Sequence, residues 1–173
     1  MIRNCESLKC FQLELFRKLE RLEIEKCQNL ESLCMGDGPP GDFTSLRSLS
    51  IYNCPSFVTF AEGGLSAPNL TYVRLWGCSK LKSLPESMHS LLPSLEILEL
   101  HSLPEVHSFP NGALPSSLSS LEIVDCPLLE QRAFSSEISK CPICQRPSVT
   151  ERRNHPSVPH YDASMAGRMQ GHV

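Results

Sequence analysis

Apolar residues return along this chain in one fixed phrase, Leu-x-x-Leu-x-Ile/Leu-x-x-Cys-x-x-Leu, written five times between Leu19 and Leu129. The copies are Leu19, Leu22, Ile24, Cys27, Leu30, Leu33; Leu46, Leu49, Ile51, Cys54, Phe57, Phe60; and Leu70, Val73, Leu75, Cys78, Leu81, Leu84. Then come Leu95, Leu98, Leu100, Leu103, Val106, Phe109, with Leu in the Cys slot, and Leu118, Leu121, Ile123, Cys126, Leu129. Ile2, Cys5, Leu8 and Phe11 match the second half of a further copy. Within each unit the Leu-x-Ile alternation has the period of two of a short strand. The later apolar positions recur every third residue, which suits an irregular or 3₁₀ return arm.

The slot falls at 5, 27, 54, 78, 103 and 126, giving intervals of 22, 27, 24, 25 and 23 residues. Those intervals lie in the leucine-rich repeat range. One strand per unit makes a parallel sheet when the units stack. No unit buries its own Leu side chains, so neighbours share a core in which each buried Leu or Ile contributes roughly 1.5 to 3 kcal/mol. The expected fold is an α/β leucine-rich repeat solenoid, a horseshoe with short parallel strands on its concave face. Turn formers such as Gly36-Asp37-Gly38-Pro39-Pro40-Gly41-Asp42 and Pro110-Asn111-Gly112 mark the loops between coils.

Strand alternation sends the Leu, Ile and Val of each unit inward and leaves three rows facing out. They are Arg21, Ser48, Tyr72, Ile97, Ser120; Glu23, Ser50, Arg74, Glu99, Glu122; and Glu25, Tyr52, Trp76, His101, Val124. The middle coils therefore gather Tyr52, Tyr72, Arg74, Trp76, Glu99 and His101. Trp, Tyr and Arg are the residues enriched at interface hot spots, so this cluster is the expected protein-binding surface. The same residues also allow an internal arrangement, with Tyr52 stacked on Trp76 and Arg74 paired to Glu99.

Composition divides the chain. Residues 1–130 hold 10 Lys and Arg against 16 Asp and Glu, whereas residues 131–173 hold 6 against 3, with three of the six histidines. The first part is the repeat domain. The second is a basic, Pro- and His-containing tail with too few apolar residues to bury, for which disorder is expected. Its dilute positive charge beside an acidic body argues against nucleic-acid binding. Cys141 and Cys144, followed by His155 and His160, have the spacing of a zinc site, but the two prolines between the histidines oppose the helix a zinc finger uses. No metal or cofactor is expected. Nothing in the chain assembles a catalytic group, so it reads as a non-enzyme. The nine cysteines, an odd number, and the lack of a secretory leader or a long apolar run point to free structural thiols, a cytoplasmic protein and no membrane span.

Phrases such as Leu46-Arg47-Ser48-Leu49-Ser50-Ile51-Tyr52-Asn53-Cys54-Pro55, Leu81-Lys82-Ser83-Leu84-Pro85-Glu86-Ser87-Met88 and the closing Cys126-Pro127-Leu128-Leu129-Glu130-Gln131-Arg132 carry a resemblance. The repeat region is similar to the C-terminal leucine-rich repeats of plant intracellular nucleotide-binding disease-resistance receptors of the coiled-coil class. The resemblance implies a recognition module that binds a pathogen effector, a guarded host protein or the receptor's own switch domain, which it restrains. The phosphate-binding loop of such receptors is absent, since Gly36 and Gly41 are followed by Asp42 rather than Lys. The chain thus reads as a fragment. A stand-alone adaptor, such as the substrate-reading arm of a ubiquitin ligase, and a zinc-binding tail module are the alternatives.

Overall fold

The computed structural model describes residues 1–34, 42–60, 64–109 and 114–132. Among the described residues eight short strands form: β1 (Ile2–Arg3), β2 (Cys10–Gln12), β3 (Arg21–Glu25), β4 (Ser32–Cys34), β5 (Ser48–Tyr52), β6 (Tyr72–Trp76), β7 (Ile97–His101) and β8 (Ser120–Val124). Strands β1, β3, β5, β6, β7 and β8 lie in that order in one parallel sheet. The protein is a parallel-strand solenoid with one sheet strand per repeat, as the period required.

Register follows the repeat without slippage. Leu22, Leu49, Val73, Leu98 and Leu121 are paired across the sheet, as are Ile24, Ile51, Leu75, Leu100 and Ile123. In β3, β5, β6 and β7 these inward residues are almost wholly buried. A one-residue slip would turn each of them outward, which is why the pattern specifies the register so firmly. Leu121 and Ile123 on β8 are only partly buried, because that strand has a neighbour on one side alone.

The residue before the Cys slot is left-handed in every repeat. Asn4, Lys26, Asn53, Gly77, Ser102 and Asp125 all have φ between 50° and 67°. This turn ends the strand while keeping its backbone paired. Lys26 N–H donates to Tyr52 O (2.9 Å), Asn53 N–H to Trp76 O (2.7 Å), Gly77 N–H to His101 O (3.0 Å) and Ser102 N–H to Val124 O (2.9 Å). The turn then drops the Cys side chain into the core. Cys54 Sγ lies 3.3 Å from Tyr52 O, and Cys126 Sγ lies 3.4 Å from Val124 O and 3.5 Å from Leu100 O. Cys27, Cys54, Cys78 and Cys126 are buried free thiols, which matches their reading as structural.

The return side is more regular than expected. Besides a 3₁₀ turn at Leu13–Phe16, it contains short helices α1 (Met88–Leu91) and α2 (Pro127–Arg132) and a second parallel pair, β2 with β4. Cys10 and Cys34, on that pair, form a disulfide with Cα atoms 6.1 Å apart. This departs from the expectation of free thiols throughout. The bond lies outside the slots because stacked return arms bring these two positions, 24 residues apart, to a separation that a disulfide spans. The tail expected to be disordered lies outside the described residues beyond position 132.

Candidate functional site

The open face of the six-stranded sheet carries the three outward rows in the expected register: Arg21, Ser48, Tyr72, Ile97 and Ser120 align, as do the two rows beside them. At the β1 edge the acids pair locally. Arg3 Nε lies 2.7 Å from Glu25 and Arg3 Nη2 3.7 Å from Glu23, while Lys26 Nζ lies 3.3 Å from Glu25. These are exposed pairs of small energetic weight. Ser50 is the exception to polar-out alternation on this face, being buried between Glu23 and Arg74.

In the middle coils the six residues singled out from the sequence do come together. Arg74 Nε donates to Glu99 Oε2, and the Tyr72 hydroxyl donates to the same oxygen at 3.0 Å. The Arg74 guanidinium lies 6.0 Å from the Tyr52 ring centre and 5.8 Å from that of Tyr72, within cation–π range of both. Trp76 leans instead on His101, with ring centres 5.6 Å apart and planes at 30°. Tyr52 and Trp76 therefore do not provide the stacked pair that the internal reading foresaw. The Arg74–Glu99 pair does form.

Electrostatics follow from this packing. The bond to Glu99 holds the Arg74 guanidinium more firmly protonated than usual. Burial, reinforced by the bond to Glu99 and by its charge, pushes the Tyr72 phenol up to about 12. Tyr72, Arg74 and Glu99 thus form one hydrogen-bonded unit around a shared carboxylate oxygen. Trp76 is different, because its side chain remains 48% exposed on the open face. Val124 is also exposed, directly across from His101 in the next strand.

Glu122 extends the cluster beyond the six residues. It is paired in register with Glu99, and its Oε1 lies 3.9 Å from His101 Nε2. That nitrogen is buried and makes no hydrogen bond among the described residues. Row arithmetic already places Glu122 beside Glu99, but a carboxylate between Leu residues resembles any solvated acid in a sequence. Its significance depends on the unpaired imidazole nitrogen beside it. Ligand atoms of Glu99, His101 and Glu122 all lie within 4.8 Å of one another. Glu99 is already taken by Arg74 and Tyr72, so a metal ion there would meet a guanidinium, and the trio does not fit a metal centre. Cys141, Cys144, His155 and His160 lie outside the described residues.

No protein-family model matches the sequence, and no solved structure matches the chain. Among the described residues no helix is long and apolar enough to cross a membrane. A protein of Arabidopsis thaliana named as a disease resistance protein is 38% identical over 129 residues, which is 75% of this chain and 9% of the relative. Another, with the same kind of name and from the same plant, is 31% identical over 144 residues, 76% of this chain and 15% of the relative. The chain therefore spans a small part of the curated relatives it matches. Its repeat phrase, its parallel-strand solenoid and these relatives agree: the chain is a leucine-rich repeat solenoid homologous to plant disease resistance proteins.

Proposed function

We propose that this chain is the recognition module of a plant intracellular immune receptor and that it binds protein through the open face of its sheet, centred on Tyr52, Tyr72, Arg74, Trp76, Glu99 and His101. The observation that carries the reading is Trp76, a large aromatic left 48% exposed in the middle of the sheet while its polar neighbours bond to one another. Such an anchor beside a rigid, internally bonded Arg–Tyr–Glu unit has the composition of an interface hot spot. Homology to disease resistance proteins supports a role in plant defence. Within a longer receptor, the partner is a pathogen effector, a guarded host protein or the receptor's own switch domain, and the compartment is the cytoplasm. The role is recognition rather than catalysis.

The test is affinity capture from plant extract with the wild-type chain and a Trp76→Ala/Arg74→Ala variant of matched circular dichroism. Loss of a captured protein in the variant supports the reading. Equal capture by both removes this face from it.

A further inference from the structure

We infer that the open face holds a subsite for one arginine side chain of the protein partner, laid across His101 with its stem on Trp76 and its guanidinium at Glu122. The inference rests on the reading of this face as a protein-binding surface. It adds the chemistry of what is read there.

The geometry suits a long side chain that is apolar along its stem and cationic at its tip. Trp76 and His101 stand with ring centres 5.6 Å apart, and Glu122 Oε1 lies 3.9 Å from His101 Nε2. An aromatic floor thus leads to a carboxylate over about the reach of an arginine. Val124, directly across from His101, adds an exposed apolar surface beside them. Long basic side chains bind in this way, with methylenes on apolar surface and the charged head elsewhere.

Charge selects the same ligand. Glu99 neutralises Arg74, and Glu23 and Glu25 are paired with Arg3 and Lys26. Among the described residues Glu122 has no Lys or Arg within pairing distance, only His101, and its side chain is 55% exposed. The β8 edge of the face therefore carries a carboxylate with no Lys or Arg partner among the described residues. It sits on a repeat region whose 16 acidic residues outnumber its 10 basic ones, which favours approach of a basic partner.

The exposed Glu122 carboxylate distinguishes arginine from lysine. A planar guanidinium presents parallel N–H donors in a fork that matches the exposed Glu122 carboxylate in two-point contact. A lysine ammonium is a point charge without that geometry.

The chain's single tryptophan makes the subsite directly observable. Fluorescence of Trp76 in the full chain is followed while acetyl-Gly-Arg-Gly-amide is added at constant ionic strength. The lysine and citrulline versions of the peptide serve as comparisons. The expected result is a saturable change that is strongest for arginine, weaker for lysine and weakest for citrulline, which keeps the shape but lacks the charge. Glu122→Gln, at an exposed position that leaves folding intact, is expected to weaken the arginine response about three- to fivefold and to remove its advantage over citrulline. Equal responses to arginine and citrulline, equal responses to arginine and lysine, or no saturable response overturn the inference. Capture from extract separates the two readings. A partner lost with Trp76→Ala/Arg74→Ala but held equally by Glu122→Gln and wild type ends the arginine subsite and keeps the binding face; a partner held by all three ends both.

Discussion

Arg74 and Glu99 stand in register on β6 and β7, and the carboxylate oxygen that accepts from Arg74 Nε also accepts from the Tyr72 hydroxyl. Two residues of one coil are thereby fixed to one atom of the next. Tyr72 reports on it, since its phenol is pushed up to about 12 by burial first and by Glu99 second. Glu99→Gln removes the charge and weakens the acceptor. The tyrosinate midpoint assigned to Tyr72 is then expected to fall towards 10.0, the ordinary value, without reaching it, because burial remains. Ultraviolet absorbance titration, with Tyr72→Phe to identify the transition, checks this. An unchanged midpoint would show that Glu99 does not hold the phenol.

Gly77 takes the left-handed turn before the Cys slot at φ 67°, and a Cβ there would lie 2.7 Å from Asn53 Oδ1 in the preceding coil. Two costs add at this position: an L residue in a left-handed turn and a steric conflict with a neighbouring turn. Gly77→Ala is expected to destabilise the chain by about 1 to 3 kcal/mol, read from urea unfolding. Ser102→Gly is the counterpart, because Ser102 occupies the equivalent turn at φ 51°. Relief of the left-handed strain offsets the added freedom of glycine in the unfolded chain, so no loss of stability is expected. A Gly77→Ala protein as stable as wild type would mean that the turns do not stack as closely as described.

The solenoid was legible because a single rule, one strand and one slot per repeat, acts at every coil and any slip would expose several Leu and Ile residues together. The outward rows followed from the same rule, which is why Tyr72, Arg74 and Glu99 could be placed side by side from spacing alone. The direction of each side chain on that face did not follow. Trp76 turned to His101 rather than to Tyr52, a choice made by rotamer packing among neighbours that a row cannot encode. Return arms were less legible still. They vary in length and lack a strict period, so the β2–β4 pair and its disulfide left only a faint trace, two cysteines 24 residues apart, close to one repeat.

That disulfide makes a measurable statement about stability. Cys10–Cys34 ties the return arm of the first, partial repeat to that of the next. Closing a loop of this length is expected to stabilise the fold by about 3 kcal/mol through the unfolded chain. Cys10→Ser and Cys34→Ser should therefore lower stability by similar amounts, and the double variant by little more than either single one, since each removes the same bond. Peptide mapping without reductant should recover the two cysteines in one linked fragment. Additive losses, or separate fragments, would show that the bond does not form.

Alkaline pH provides the last test, directed at the slot. Burial pushes the Cys54 thiol up to about 11 and Cys78 to about 12 from an ordinary 9.0, and it raises Cys27 and Cys126 as well. In the unfolded chain these thiols release their protons near pH 9.0. In the folded chain they retain them. The folded state then binds more protons than the unfolded one, so the stability they contribute is complete below pH 9.0 and declines as pH rises towards 11 to 12. Urea midpoints should fall across that window, and Cys78→Ala should reduce the slope even though it lowers the starting stability. Thiol alkylation at mildly alkaline pH should label exposed Cys5 well before the four buried slot cysteines, which should react only on unfolding. Midpoints that stay level through the window, or slot thiols that react as fast as Cys5, would contradict the burial on which the cysteine ladder rests.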